Sequence, residues 1–333
     1  MNIHAAAAYA AHLLTSRSTA GHGVHSPLMF RFITEVIGGR ADRHIIDEVR
    51  RLRREMLSDS RVVRVTDLGA GSSVMQGRER SIRQIASVAA LPAREVALLA
   101  RIAASLDRIL ERVPDRQVGG LQQTFRPLID REAIVLQSHE HKSGDRPGRE
   151  YGPHRLPTNG EEPASRPVIL ELGTSLGIST LALAMAAPDR RVITVEGCPE
   201  LAAIARENLR RHGASNTEVL NMEFSQALSH LKDQGIKVGM AFIDGNHRGA
   251  ALIDYTHRIM EMGDEIIIVA DDIHLNIDMI HAWKSLCNGQ YTTRQNGCTG
   301  EHIGQRQTSL ETFCLGILFC LRNLTPGRYR IRY

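Results

Sequence analysis

The chain has 333 residues, enough for one large domain or two modest ones, and its 42% hydrophobic content is ordinary for a soluble globular protein. No apolar run approaches the roughly 18–20 residues that a membrane span needs. With 41 basic and 37 acidic residues, the net charge of +4 is too balanced to argue for nucleic acid by itself.

The opening MNIHAAAAYAAHLLTSRS lacks the charged start and cleavage site of a signal peptide, so a cytoplasmic protein is expected. Residues 4–16 and 28–37 read as helices around a turn at residues 21–27, GHGVHSP. His22 and His25 suit capping or local hydrogen bonding better than metal ligation. Residues 44–56 form a helix dense in arginine (Arg50, Arg51, Arg53, Arg54), read as a solvated face, with contact to RNA as the alternative. A glycine-rich turn follows at Asp67–Ser72. No second apolar strand ending in an acid arrives after it, so it is read as a structural loop. Helices are expected over 79–90 and 93–112, the second with Pro92 near its start.

Composition then changes. Seven of the chain's twelve prolines lie between Val113 and Pro167, in a polar stretch with little periodicity. The expected organisation is a helical extension over 1–112, a linker or insertion over 113–166 and a regular domain over 167–333. His139 and His141 make an HxH pair in the linker, a poor context for a metal site. The five cysteines, Cys198, Cys287, Cys298, Cys314 and Cys320, show no CxxC pairing, so neither zinc nor a disulfide framework is expected.

From Val168 the pattern is regular. Val168–Leu170 is a strand, Gly173 and Gly177 a turn, and a helix begins at Ser179; Val192–Val195 is the second strand. Further strands are expected at 219–222, 238–243 and 266–270, with helices at 200–212, 225–233 and 249–262. Trp283 falls on the next helix, and the tail closes with a strand near 291–294 and another over 312–321. Alternating strands and helices imply an α/β fold with a doubly wound, mostly parallel sheet, whose ligands bind beyond the carboxyl ends of the strands. Four strands bring an acid to that edge: Glu171, Glu196, Asp244 and Asp271.

Glycines that let a backbone approach closely, a helix N-terminus that favours an anion and an acid some twenty residues on together imply a nucleoside with an anionic group. The run Gly173-Thr-Ser-Leu-Gly177 lacks the central glycine of GxGxxG, which disfavours a pyrophosphate. The passage resembles the first motif of class I S-adenosylmethionine-dependent methyltransferases, in the ELGTSxGxST form of the small O-methyltransferases similar to catechol O-methyltransferase. The HGVHSP and DLGAGS segments resemble an amino-terminal extension in a bacterial group of such enzymes.

That resemblance implies a Rossmann-like methyltransferase fold with a seven-stranded sheet and S-adenosyl-L-methionine as cofactor. It places Glu171, Gly173 and Ser179 around the methionine part, Glu196 at the ribose, and Ser225 and Gln226 at the adenine, with Thr174, Ser175, Gly177 and Gly197 also binding the cofactor. The fourth strand resembles FxDxxK, with Asp244 for cofactor and metal and His247 at the lysine position. The fifth resembles ADN, here Ala270-Asp271-Asp272. Asp244, Asp271 and Asp272 would suit Mg²⁺ or another divalent cation, with His247 as the base acting with Asp244. The resulting expectation is O-methylation of a small-molecule acceptor by a protein that forms a homodimer and makes no membrane contact. RNA methylation, a non-catalytic cofactor-binding scaffold and an NAD oxidoreductase are the alternatives.

Overall fold

Residues 12–15 are helical, and Ser26 and Pro27 open the next helix. The Ser26 hydroxyl accepts from the Met29 N–H at 3.4 Å, and proline at the first helical position has no N–H to leave unpaired. This helix, α1 (Pro27–Arg31), passes into a π-helical turn over Phe32–Ile37, so the helix expected at 28–37 changes its winding halfway. α2 (Arg43–Ser58) is capped by Asp42, which accepts from the His44 N–H at 2.7 Å. Its apolar positions Ile45, Val49, Leu52 and Met56 recur at helical spacing and are all buried. β1 (Val62–Arg64) pairs antiparallel with β2 (Glu79–Ser81), where a helix was expected to begin. That helix, α3 (Ile82–Val88), starts three residues later, and α4 (Ala93–Ala104) and α5 (Leu106–Leu110) follow.

The computed structural model describes residues 9, 12–66, 79–88, 91–110, 166–295, 298–303, 307–322 and 324–333. The turn at Asp67–Ser72, the His139/His141 pair and nearly all of the expected linker lie outside these. Residues 1–112 and 166–333 form one compact unit.

The regular half alternates strand and helix: β3 (Val168–Leu172), α6 (Ile178–Ala186), β4 (Val192–Val195), α7 (Pro199–Arg211), β5 (Thr217–Leu220), α8 (Phe224–Asp233), β6 (Val238–Ile243), α9 (Gly249–Met260), β7 (Ile266–Ala270) and α10 (Ile277–Asn288). The hairpin β8 (Gln290–Gln295) and β9 (Cys298–Ile303) stands apart, and β10 (Thr308–Glu311), β11 (Gly316–Cys320) and β12 (Arg328–Arg330) complete the sheet. Its order is β12-β10-β11-β7-β6-β3-β4-β5. β3 to β7 run parallel, and β11 pairs antiparallel with both β7 and β10.

Three details differ from the sequence reading. The sheet has eight strands rather than seven, because the short, charged β12 adds an edge. The apolar run over 312–321 is not one strand, because the Thr312 hydroxyl accepts from the Leu315 N–H at 3.1 Å and closes a turn. The segment at 291–294 belongs to the separate hairpin, not to the sheet. β5 ends at Leu220, which leaves Asn221 beyond the strand.

Alternate strand residues face two cores, as the pleat requires. Ile169, Val192, Phe242, Val269 and Phe319 pack with α2, α4, α6 and the π-helical turn, so the amino-terminal helices share a core with the sheet. Leu170, Ile193, Ala241, Ile268 and Leu318 face α8, α9 and α10. The connection from β3 goes outward to β4 and β5, then returns to β6 on the other side of β3. This reversal opens a crevice at the carboxyl ends of β3 and β6.

Candidate functional site

At that crevice the chain leaves β3 through a turn that only glycine permits. Gly173 has φ +114°, and a Cβ there would lie 2.0 Å from the Asp244 carbonyl oxygen. Ser175 takes a left-handed φ of +48°, and Gly177, at φ +80°, begins α6 with no side-chain cap. The first N–H groups of α6 are thus free of side-chain competition and suited to an anion.

The acid after β4 closes the turn from the opposite side. Ser175 N–H donates to Glu196 Oε2 at 2.8 Å and Cys198 N–H to Oε1 at 2.9 Å. Glu196, Gly197, Ser175 and Gly177 therefore share one rim. Asn221, which the sequence reading passed over, donates its side-chain amide to the Glu196 carbonyl at 2.8 Å and steadies the segment carrying the acid. The Thr174 side chain faces inward, its hydroxyl 2.6 Å from that of Thr194, so only its backbone is presented at the rim.

Glu171 is fully buried behind this turn. Thr180 and Thr194 donate to its Oε2 at 2.5 and 2.6 Å, whereas Oε1 has no hydrogen-bond partner among the described residues. Burial pushes its pKa up, and the hydroxyls of Ser179, Thr180 and Thr194 oppose that shift. An orphaned, buried acceptor costs about 1–3 kcal/mol unless a ligand supplies the donor.

Asp244 and Asp271 meet at the ends of β6 and β7. Asp272 follows Asp271 directly, and the three carboxyls act on one another's charge. Burial, followed by the charges of Asp271, Asp272 and Glu171, raises the Asp244 pKa well above the usual range. Burial and the Asp272 charge push Asp271 up to about 7. Each carboxylate's charge opposes ionisation of the other.

The expected cation donors Asp244, Asp271 and Asp272 lie at the ends of β6 and β7 and act on one another's charge. Oxygen donors suit Mg²⁺, but among the described residues no three His, Cys, Asp or Glu side chains are placed to hold a metal ion. Asp272, with φ +53°, does not complete a three-ligand set with the pair.

His247 Nε2 lies 4.0 Å from Asp244 Oδ1, with the imidazole partly exposed. Asn276 donates to the His247 carbonyl at 3.4 Å. Asn246, with φ +52°, is tied by its amide to the Tyr255 hydroxyl at 2.9 Å and leaves a buried, unpartnered Oδ1. Ser225 and Gln226 occupy the first turn of α8, half-buried and exposed. Phe224 before them lies over Gly245, where a Cβ would meet its ring at 2.8 Å.

The amino-terminal helices also reach the site. Thr66 N–H contacts Cys198 Sγ at 3.5 Å, two residues past Glu196. Glu95 on α4 is buried with an unpartnered Oε2, and its charge adds to the upward shift at Asp271. In the arginine-rich helix, Arg50 pairs with Asp47 at 3.3 Å, Arg51 with Glu55 at 3.4 Å, and Arg53 donates to the Leu91 carbonyl at 2.9 Å.

A family model described as a methyltransferase domain matches residues 170–273, the segment that contains the glycine turn, Glu196, Asp244 and Asp271. The catechol O-methyltransferase of Mycobacterium tuberculosis is 33% identical over 147 residues, 43% of this chain; the chain spans 64% of that relative's length. Among solved structures, the O-methyltransferase TomG of Streptomyces achromogenes is 20% identical over 46% of this chain and 72% of its own, with a TM-score of 0.36. The O-methyltransferase of Bacillus cereus is 18% identical over 45% and 73%, with a TM-score of 0.34. Over residues 170–273 the chain matches a methyltransferase domain, and it resembles the M. tuberculosis catechol O-methyltransferase over part of that relative's length.

Proposed function

We propose, with the methyltransferase domain at residues 170–273 as the premise, that the protein binds S-adenosylmethionine at the Gly173–Gly177 turn and methylates a hydroxyl of a small molecule. The observation that carries this reading is the 2.8 Å hydrogen bond from Ser175 to Glu196, which brings the glycine turn and the acid after β4 to a single rim. The residues fit the cofactor. Gly173 admits no side chain, α6 begins uncapped, and Glu171 Oε1 is a buried acceptor in want of a donor. The relative from M. tuberculosis, whose name specifies O-methylation of a catechol, supports a hydroxyl as acceptor.

When bound, S-adenosylmethionine supplies a methyl group on a positively charged sulfur. Glu196 would accept from the ribose hydroxyls, with Gly197 beside it. The N–H groups at Ile178 and Ser179 would favour the carboxylate, and Glu171 would accept from the ammonium. Ser225 and Gln226 lie at the adenine end. His247 takes the proton from the acceptor hydroxyl as general base, and Asp244, 4.0 Å away, stabilises the imidazolium that results.

Thermal melting tests the cofactor class. A saturating ligand at about one hundred times its Kd stabilises by about 2.7 kcal/mol, so S-adenosylhomocysteine should raise Tm by several degrees and NADH should leave it unchanged. A shift with NADH and none with S-adenosylhomocysteine would contradict the proposal.

A further inference from the structure

The crevice at β3 and β6 does not account for a grouping of positive charge elsewhere in the molecule. It lines a cavity of about 380 Å³ between α10, β10, β12 and the segment at residues 15–17. β11, β7 and β6 separate β10 from β3 in the sheet. At roughly 4.8 Å per strand spacing the cavity lies about 19 Å from the glycine turn.

Four cations line it, Arg17, Lys284, Arg328 and Arg330, against one acid, Glu311. Glu311 is already satisfied. Arg330 pairs with its Oε1, and the Trp283 indole N–H donates to its Oε2 at 2.8 Å. The other three cations have no acid partner among the described residues. Arg17 donates to the carbonyls of Gly23 at 3.0 Å and His22 at 3.4 Å. Arg328 bonds the Asn288 side-chain carbonyl, and Lys284 is exposed without a hydrogen bond or ion pair. Carbonyl partners orient a guanidinium without neutralising it, and each arginine retains N–H donors from its five. Cys287, also in the lining, has its pKa pushed up to about 11, chiefly by burial, and adds no negative charge.

The Arg17 guanidinium is held in place by its surroundings. Arg17 N–H donates to the Arg330 carbonyl and its own carbonyl accepts from Arg332, both at 2.8 Å, so the residue is fixed beside β12. Gly23 has φ +72°, and a Cβ there would come within 2.9 Å of Arg17 Nη1. The glycine of HGVHSP thus makes room for the guanidinium, and the backbone on either side orients it.

We propose that this cavity is a second ligand site, which binds a small phosphate-bearing molecule of two or three negative charges. Three uncompensated cations match that charge. Guanidinium forks match phosphate oxygens in pairs, and the volume lies in the range of small-molecule sites, about 300–1,000 Å³.

The chain's single tryptophan reports on the site directly, because Trp283 is part of its wall. Titrating the full chain with sodium pyrophosphate should give a saturable change in tryptophan emission, weakened by added salt. Lys284→Glu and Arg328→Glu should each weaken the midpoint about tenfold or more, with calorimetry as a second readout. Glu196→Ala should leave the response as in the wild type, which separates this site from the cofactor rim. The proposal is overturned if neither emission nor heat saturates into the millimolar range, or if the Lys284→Glu/Arg328→Glu double variant binds pyrophosphate as well as the wild type.

Discussion

The two ends of the crevice are built differently. At β3 and β4 a rim is made by residues close in sequence: Gly173, Ser175 and Gly177 on one side, and Glu196 on the other, joined through backbone N–H groups. At β6 and β7 the components are side chains held against their own chemistry. Asp244, half-buried, and Asp271, buried, both have raised pKa values, and His247 lies 4.0 Å from Asp244. The first arrangement binds by shape and by donors that do not titrate, whereas the second depends on where protons sit. Binding and chemistry should therefore fail separately when one end is altered.

The largest effect should fall on chemistry. His247→Ala is expected to lower kcat by about 10²–10⁴, equivalent to roughly 3–5 kcal/mol of barrier. S-adenosylhomocysteine affinity should change by less than about threefold, since His247 is not on the rim. An equal loss of cofactor affinity would merge the two ends into one.

Gly173→Ala should act on the fold, costing about 3 kcal/mol or more in urea unfolding. Its φ of +114° strains any L side chain, and the added carbon meets the Asp244 carbonyl at 2.0 Å. Unchanged stability would show that the turn is looser than its geometry.

Asp271→Asn sharpens the comparison through pH. The folded-state pKa of Asp271, about 7, exceeds its ordinary value of 3.8, so the native state binds the extra proton. Stability contributed by that proton is present below pH 3.8 and is lost as pH rises towards 7. The substitution should leave stability near pH 4 little altered and raise it at pH 8 by on the order of 2 kcal/mol, flattening the profile between. A variant that is less stable at pH 8 would assign the pair a different charge. Thr194→Val, which removes one donor to Glu171, should cost about 1–2 kcal/mol in the same assay.

The same contrast governs what the sequence made legible. The rim follows from local signals, an apolar run, two glycines and an acid about twenty residues on, and β3, β4, β6 and β7 fall where the apolar runs predict. Local signals also misplaced the end of the sheet. The run over 312–321 is mostly apolar, so its hydropathy pattern did not mark the turn that the Thr312 hydroxyl closes. β12 reads RYR and carries no strand period. Thr180 and Thr194 were missed because a hydroxyl buried in a helix or strand looks like any other small residue in a periodic segment. The basic cavity draws on positions 15–17, 283–287, 309–311 and 328–330, brought together only by the sheet.

Calorimetry with S-adenosylhomocysteine on the wild type and on Glu196→Ala tests the ribose-binding rim most directly. Micromolar binding that weakens about tenfold or more when the acid is removed is the predicted result. Equal affinity in the two proteins would contradict the account, because the residue that closes the glycine turn would then not hold the sugar.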